Sequence, residues 1–220
     1  MRSAVRTASS VVFAVVFLTG CSSTSLGGPA PSASASAAGT GALGGSPERA
    51  IAVGAGPQKM YTVQQQPPAG NCHYRIQKGE PLEDPACTPG AISPAVTQAN
   101  LKFTICRKGG YTAGIRPPVS ITGKEKEGNA ASYGYTGRMG DAEYDHLISL
   151  QLGGDPNDPR NLWVEPPDPG HKAGGGVNNK KDPVETKLHT AVCAGQVTLA
   201  AAQRAIVTDW TTALSSLGIG

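Results

Sequence analysis

The chain has 220 residues, of which 39% are hydrophobic and 16% are charged, which is enough for one compact domain with a core but too little for two large ones. Aromatic residues make up only 5%, whereas 29 glycines and 18 prolines predict long loops or linkers, so the folded part is smaller than the chain. The 19 basic and 16 acidic residues give a formal charge of +3, which excludes attraction of nucleic acid by a strongly basic overall field.

The first 20 residues have the pattern of a secretory signal. Arg2 and Arg6 precede a short apolar run at residues 11–17, and small residues lead directly to Cys21. The apolar run falls short of the roughly 20 residues that span a bilayer. Small residues directly before a cysteine resemble the lipobox of bacterial lipoproteins. That resemblance implies a lipoprotein signal peptide at 1–20 and a membrane anchor through lipidated Cys21. An ordinary signal peptide followed by a chance cysteine is the alternative.

Residues 21–57 form a predicted linker between Cys21 and the folded domain. Between 22 and 47 the chain contains only Ser, Gly, Ala, Pro, Thr and two Leu, and the first charge is Glu48. Such a stretch cannot bury enough apolar surface to offset the entropy lost on ordering, so we expect a flexible tether. Without the two signal arginines the remaining chain carries about +1, so local residues must recruit any nucleic acid.

Four cysteines remain beyond the linker, and an even number in an exported chain favours two disulfides over reactive thiols. Three pairings are possible. We favour Cys72–Cys87, which closes a local proline-rich loop, and Cys106–Cys193, which joins a mid-chain helix to a late one. Structural zinc is the alternative, and the wide spacing without a Cys-x-x-Cys pair counts against it.

Residues 58–140 read as the scaffold part of the domain. Short polar and apolar runs at 61–90 fit a strand or two with irregular loops. Ser93 and Pro94 are typical of a helix start, and the following apolar spacing predicts a helix at 94–106. Arg116 precedes two prolines in an extended loop, where it could reach a phosphate or pair with a surface carboxylate.

The segment 143–166 carries the candidate chemistry. Apolar runs separated by a Gly-Gly pair and two Asx-Pro steps predict two strands joined by a long turn. Asp145 and His146 lie on the first strand. Because adjacent strand residues point to opposite faces, they could share one site only where the strand bends or ends.

Asp145, His146 and Asn161, followed by the sequence Asn-Asn-Lys-Lys at 178–181, resemble the HNH nuclease family and its ββα-metal finger. Segments such as 87–90 and 161–166 also look like those of secreted bacterial proteins with an HNH-type core, so the resemblance covers about 61–210. It implies an α+β fold in which the finger, within residues 141–220, is surrounded by helices and stapled by disulfides.

The resemblance also implies a role for each residue. Asp145 and Asn178 would hold a divalent metal, with Asn179 a close competitor of Asn178, and hard oxygen ligands favour Mg²⁺ over zinc, with Mn²⁺ as the other candidate. His146 would take the proton of the attacking water, and Asn161 would orient the hairpin. His171 in the glycine-rich loop is an alternative ligand or simply solvated.

Three basic residues near the finger are the candidates for phosphate contacts: Lys180, Lys181 and Arg160. Asp182 and Pro183 read as the cap and first position of a helix at 183–194, on which His189 has a surface or core role. A later helix opens at Thr198 and leads to Trp210.

We therefore expect a metal-dependent endonuclease that hydrolyses DNA, and RNA as a second candidate, outside the membrane. Two alternatives stay open. One is a non-catalytic surface lipoprotein that uses the finger as a scaffold to bind nucleic acid, a wall component or a protein. The other is a hydrolase of another phosphodiester, such as an envelope polymer.

Overall fold

Three small two-stranded sheets and four α-helices form the regular structure of residues 50–220, the part of the chain that the computed structural model describes. The predicted signal peptide, Cys21 and most of the predicted linker lie outside the described residues. The strands are β1 (Ala52–Val53), β2 (Arg75–Gln77), β3 (Glu80–Leu82), β4 (Ala91–Ile92), β5 (Glu143–His146) and β6 (Leu162–Glu165). The helices are α1 (Val119–Ser132), α2 (Lys181–Cys193), α3 (Leu199–Asp209) and α4 (Ala213–Ser216). This mixed α and β composition confirms the coarse fold class.

The β5/β6 hairpin is the predicted pair of strands joined by a long turn. The strands are antiparallel, with Asp145 opposite Trp163 and His146 opposite Leu162. Every residue of β6 is buried, including the apolar run Leu162–Val164 and the acid Glu165 that ends the strand. β1 pairs in parallel with β4, and β2 pairs in antiparallel with β3. The hairpin therefore lies inside the protein rather than on its surface.

The main core lies between α2, α3 and the turn of the hairpin. Its largest buried members are Leu82, Ile148, Leu152, Leu188, Ile206 and Trp210. Trp163 belongs to a second cluster with Leu147, Tyr133 and Cys72. Within residues 50–220, none of the helices is both long and apolar enough to cross a membrane.

The two predicted disulfides are confirmed. Cys72 is bonded to Cys87 with their Cα atoms 5.9 Å apart, and Cys106 is bonded to Cys193 with a Cα separation of 5.5 Å. The second bond closes a loop of 87 residues, and the chain-entropy account assigns a loop of this size roughly 4–5 kcal/mol of stabilisation. It fixes the end of α2 to the segment that follows the 3-10 helix Gln98–Phe103.

Two parts of the scaffold differ from the sequence interpretation. Residues 50–57, expected to end the flexible linker, belong to the folded part, because Gly54 N donates to Ile92 O at 2.9 Å and Gly56 N donates to Asp155 Oδ2 at 2.6 Å. The helix expected at 94–106 is only the 3-10 helix Gln98–Phe103. The side chains of Asn100 and Thr97 cap its first turn, so it begins at residue 98 and not after Pro94.

Helix α1 was not expected from the sequence. The residues that it buries are mostly polar, namely Glu125, Asn129, Ala130 and Ser132, so it has no apolar stripe. The Asn129 side chain accepts a hydrogen bond from Val164 N at 2.7 Å and donates one to Gln66 Oε1 at 2.9 Å. Helix α1 is therefore held against β6 by buried hydrogen bonds, which leave little periodic signal in the sequence.

Candidate active site

Asp145 is fixed at the centre of the candidate site by two donors from different elements. Its Oδ2 atom accepts a hydrogen bond from the indole nitrogen of Trp163 at 3.1 Å and another from Lys181 Nζ at 2.7 Å. The side chain is buried, so water competes little with these contacts. The carboxylate is therefore held in one orientation through its Oδ2 atom.

Lys181 is buried and holds the first turn of α2 against the end of β5. Its ammonium donates to Asp145 Oδ2 at 2.7 Å, to the carbonyl oxygen of His146 at 3.0 Å and to Glu185 Oε1. Burial alone would lower the pKa of Lys181, but the carboxylates of Asp145, Glu185 and Glu165 raise it well above its usual value. This placement differs from the exposed phosphate contact expected of Lys181.

His146 is buried and neutral. Its Nε2 atom lies 3.1 Å from the carbonyl oxygen of Pro156, which can only accept, so Nε2 carries the proton and Nδ1 carries the lone pair. Burial lowers the pKa of His146 to about 4, assisted by the nearby positive charges of Arg116 and Lys181. The imidazole is therefore an unprotonated base at neutral pH, with its ring orientation fixed by a backbone contact.

Asn161 clamps the turn between β5 and β6. Its Nδ2 atom donates to the carbonyl oxygens of Ile148 and Asp155, both at 3.0 Å, and its Oδ1 atom accepts from Ile148 N at 3.0 Å. A Cβ atom on Gly154 would overlap the carbonyl oxygen of Ile148, so the second glycine of the Gly-Gly pair permits this close packing. The side chain of Asn161 thus forms hydrogen bonds to backbone groups of the turn, as expected of a residue that orients the hairpin.

The two asparagines proposed as alternative metal ligands, Asn178 and Asn179, have different environments. Asn179 Nδ2 donates to Glu143 Oε2 at 2.8 Å, and Asn179 Oδ1 accepts from Asp182 N at 3.0 Å, so Asn179 links β5 to the start of α2. Asn178 is exposed. α2 begins at Lys181, two residues before the expected start, and accommodates Pro183 because amide groups in the first turn have no partner within the helix.

Two carboxylates that sequence reasoning missed lie near Asp145. Glu143 is two residues earlier on the same face of β5, and burial together with Asp145 and Asp182 raises the pKa of Glu143 to about 7. Burial and Asp145 also raise the pKa of Asp182. We call Glu143, Asp145 and Asp182 the carboxylate cluster. The alternation of acids at 143 and 145 on one strand was the available sequence signal.

The carboxylate cluster and the Asn179 amide offer hard oxygen donors that suit Mg²⁺ or Mn²⁺. Burial, followed by repulsion from Asp145, raises the pKa of Glu143 and of Asp182, so a divalent cation would stabilise their charged forms. Within the described residues, only one group of ligand-type side chains has all its ligand atoms within 4.8 Å of one another, and it lies elsewhere. The residues of the carboxylate cluster therefore fit a metal by charge and chemistry. Their ligand atoms lie farther apart than those of the compact group.

A polar pocket of about 230 Å³ adjoins the carboxylate cluster, and we call it the Arg116 pocket. Its lining comprises Thr112, Arg116, Ser149, Leu150, Gln151, Asp182 and Glu185. The positive charge of Arg116 acts on the ionisation of Glu143, His146 and Asp182. The buried hydroxyl of Ser149 has no hydrogen-bond partner. The pocket thus combines one cation, two carboxylates and a buried hydroxyl without a partner among the described residues.

The other predicted phosphate contacts are engaged within the protein. Lys180 forms an ion pair with Glu80, and Arg160 pairs with Asp158 through its Nε atom at 2.9 Å and a terminal nitrogen at 2.5 Å. His171, the alternative ligand, has its Nε2 atom 3.6 Å from Asp141 Oδ1. The structure brings Asp145, His146 and Lys181 together and leaves Arg160 and Lys180 in separate ion pairs.

The one compact group of ligand-type side chains in the described part of the chain lies at the other end of α2. Cys106, His189 and Cys193 have ligand atoms within 4.8 Å of one another, although the two sulfurs form a disulfide. We call these three residues the Cys–His cluster.

Comparison of the chain with protein-family models, with curated protein sequences and with solved structures gives no match.

The lowered pKa of His146 predicts a specific loss of stability in acid. The unfolded chain binds this proton near pH 6.5 and the folded chain only near pH 4, so unfolding becomes easier as the pH falls through this interval. For one group the loss is about 3 kcal/mol. The His146→Gln variant lacks this contribution. Its free energy of unfolding, measured by urea titration between pH 7 and 4, should therefore fall less steeply with pH than that of the wild type. The exposed His73→Gln variant is the control, and equal slopes for wild type and His146→Gln would contradict the assignment.

Proposed function

We propose that this protein is a metal-dependent endonuclease that hydrolyses phosphodiester bonds of DNA, with RNA as a second substrate, through a ββα-metal finger of the HNH type. The observation that carries the proposal is the environment of His146. His146 is the last residue of β5, so the alternation of the strand ends there, and its neutral imidazole is fixed through Nε2 to the Pro156 carbonyl. The preceding Asp145 carboxylate is fixed by two donors, and its negative charge acts on the imidazole. A base near a hard-cation ligand is the arrangement that phosphodiester hydrolysis requires.

The order and contacts of the elements support the finger. β5, β6 and α2 follow one another in the chain, and the Lys181–Asp145 ion pair joins the start of α2 to β5. Asn161 holds the intervening turn, which also supplies the Pro156 carbonyl to His146. Each residue that the HNH resemblance assigns to the hairpin therefore has a contact consistent with its proposed role.

A divalent metal held by Asp145 with Asn179, Glu143 or Asp182 would stabilise charge on the phosphate and on the leaving oxygen. His146 accepts the proton of the attacking water at Nδ1, while its Nε2–H bond to Pro156 keeps the ring in place. The water oxygen forms a bond to phosphorus, the bond from phosphorus to the 3′ oxygen breaks, and the leaving oxygen takes a proton from solvent. The resulting imidazolium is stabilised by the negative charge of Asp145, which favours the protonated ring.

The Arg116 pocket provides the substrate-binding part of the proposal. The guanidinium can hold a phosphate by two parallel hydrogen bonds, and the free Ser149 hydroxyl can donate a further one. Because Lys180, Lys181 and Arg160 are engaged within the protein, Arg116 becomes the principal candidate for the phosphate contact.

We further propose that the protein acts outside the membrane, anchored through lipidated Cys21. The signal-like sequence at 1–20 and two disulfides, which persist in oxidising compartments, support this location.

One observation favours a second candidate, a non-catalytic surface lipoprotein that binds nucleic acid, a wall component or a protein. Lys180, Lys181 and Arg160, the three basic residues expected to contact phosphate, already have acidic partners. A finger that serves only as a scaffold needs no free cation at these positions.

Plasmid cleavage tests the proposed activity. The oxidised chain should nick and linearise supercoiled DNA with Mg²⁺ or Mn²⁺ and not with EDTA. Loss of the general base in His146→Ala should slow cleavage by about 10²- to 10⁴-fold. His73→Ala, which alters an exposed histidine, should cleave at the wild-type rate. Far-UV circular dichroism establishes that each variant is folded. Absence of DNA and RNA cleavage by the folded protein would favour the binding lipoprotein or, if another phosphodiester is cleaved, the third class of function.

Arg116→Ala should lower kcat/KM by about 10- to 100-fold, the effect of losing hydrogen bonds between charged groups. Arg116→Lys should retain more kcat/KM than Arg116→Ala but less than the wild type, since lysine cannot form two parallel hydrogen bonds to one phosphate. Lys108→Ala removes an exposed positive charge elsewhere and is the matched control. Equal losses in Arg116→Ala and Lys108→Ala would indicate general electrostatic attraction and would contradict a specific phosphate contact.

A further inference from the structure

The Cys–His cluster joins the last turn of α2 to the segment after the 3-10 helix Gln98–Phe103. His189 and Cys193 are four residues apart on α2 and so lie on the same face of the helix. His189 Nε2 is 3.4 Å from Cys193 Sγ and 3.0 Å from the carbonyl oxygen of Ile105. Cys106 lies opposite, bonded to Cys193. An imidazole nitrogen is thus already adjacent to both sulfurs.

We propose that reduction of the Cys106–Cys193 disulfide converts the Cys–His cluster into a zinc site, with two thiolates and the imidazole of His189 as ligands. In the reduction, a dithiol reductant gives two electrons and two protons to the disulfide, forms its own disulfide, and leaves two cysteine thiols. Binding of Zn²⁺ then forms two metal–sulfur bonds and releases both thiol protons. The disulfide and the metal are therefore alternative links between the same two segments.

The geometry of the cluster fits three of the four positions of a tetrahedral zinc site. Metal–sulfur bonds of about 2.3 Å place two sulfurs about 3.8 Å apart, which cysteines with Cα atoms 5.5 Å apart can reach by side-chain rotation. The His189 Nε2 atom is within 4.8 Å of both sulfurs, and it completes a three-ligand set once its hydrogen bond to the Ile105 carbonyl is broken and its proton has moved to Nδ1. Thiolate and imidazole ligands select zinc over magnesium, so this site and the carboxylate cluster bind different metals.

The disulfide is accessible to a reductant. Cys193 is exposed, and both sulfur-bearing residues line a pocket of about 370 Å³ together with Gln98, Lys102 and Val192. In the other disulfide Cys72 is only 2% exposed and Cys87 is half-buried, so the exposed Cys193 meets less steric obstruction than either. Reduction should therefore reach the Cys–His cluster first.

The test is Co²⁺ binding, in which Co²⁺ replaces zinc and reports thiolate ligands by charge-transfer absorption. The full chain carries Cys21→Ser, so that the fifth cysteine contributes no thiol. After treatment with a dithiol reductant, the chain should bind one Co²⁺ with thiolate absorption, and Zn²⁺ should displace it. The oxidised chain should show no such absorption. His189→Ala should weaken the reduced chain's affinity by at least about 10- to 100-fold, the range for loss of a group that only supports a ligand.

A Cys106→Ser/Cys193→Ser variant, which keeps Cys72 and Cys87, gives the background from the other thiols. If the reduced chain unfolds without metal, Zn²⁺ should restore its circular dichroism spectrum, because binding is then coupled to folding. The proposal is overturned if reduced wild type binds no more Co²⁺ than this double variant, if His189→Ala binds as tightly as wild type, or if Zn²⁺ leaves an unfolded reduced chain unfolded.

Discussion

The candidate site depends on the ion pairs of Lys181. Its ammonium is buried among carboxylates at the junction of α2 and β5. Placing a charge in the protein interior costs several kcal/mol, and Lys181 offsets that cost only because Asp145, Glu185 and the His146 carbonyl accept its three hydrogen bonds. Loss of this one side chain would leave buried carboxylates without a cation, a change that typically costs 3–5 kcal/mol. The orientation of Asp145 is therefore inseparable from the packing of α2.

The contacts of Lys181 also explain why negative charge is unevenly distributed around the candidate site. Burial and the negative charge of Asp145 raise the pKa of Glu165 well above its usual value, which favours the neutral acid. The Lys181 contacts compensate Asp145 and Glu185 on one side. The positive charges of Lys181 and then Arg116 act on Glu143 and Asp182, but burial and the negative charge of Asp145 still raise the pKa of both. A metal at the carboxylate cluster and a phosphate in the Arg116 pocket would each complete an electrostatic arrangement that the fold leaves incomplete.

The hairpin and the disulfides could be predicted because their signals are local. Apolar runs, Gly-Gly and Asx-Pro steps define β5, β6 and the long turn, and the cysteine count defines two bonds. Helix α1 could not be predicted, because Glu125 and Asn129 replace the apolar residues of an ordinary buried face. The Lys181–Asp145 contact spans 36 positions and the Lys180–Glu80 pair spans 100, so no sequence window contains them. The Arg116 pocket was missed for the same reason. The Arg160–Asp158 pair spans only two positions, and the sequence interpretation missed it.

The most direct test of the central claim is an X-ray structure of the oxidised protein crystallised with Mn²⁺, with anomalous scattering used to locate the ion. The account predicts a manganese peak in contact with the Asp145 carboxylate, on the side of the carboxylate cluster and within reach of the Arg116 pocket. A well-ordered structure in excess Mn²⁺ without an anomalous peak at Asp145 would contradict metal-dependent catalysis at this site.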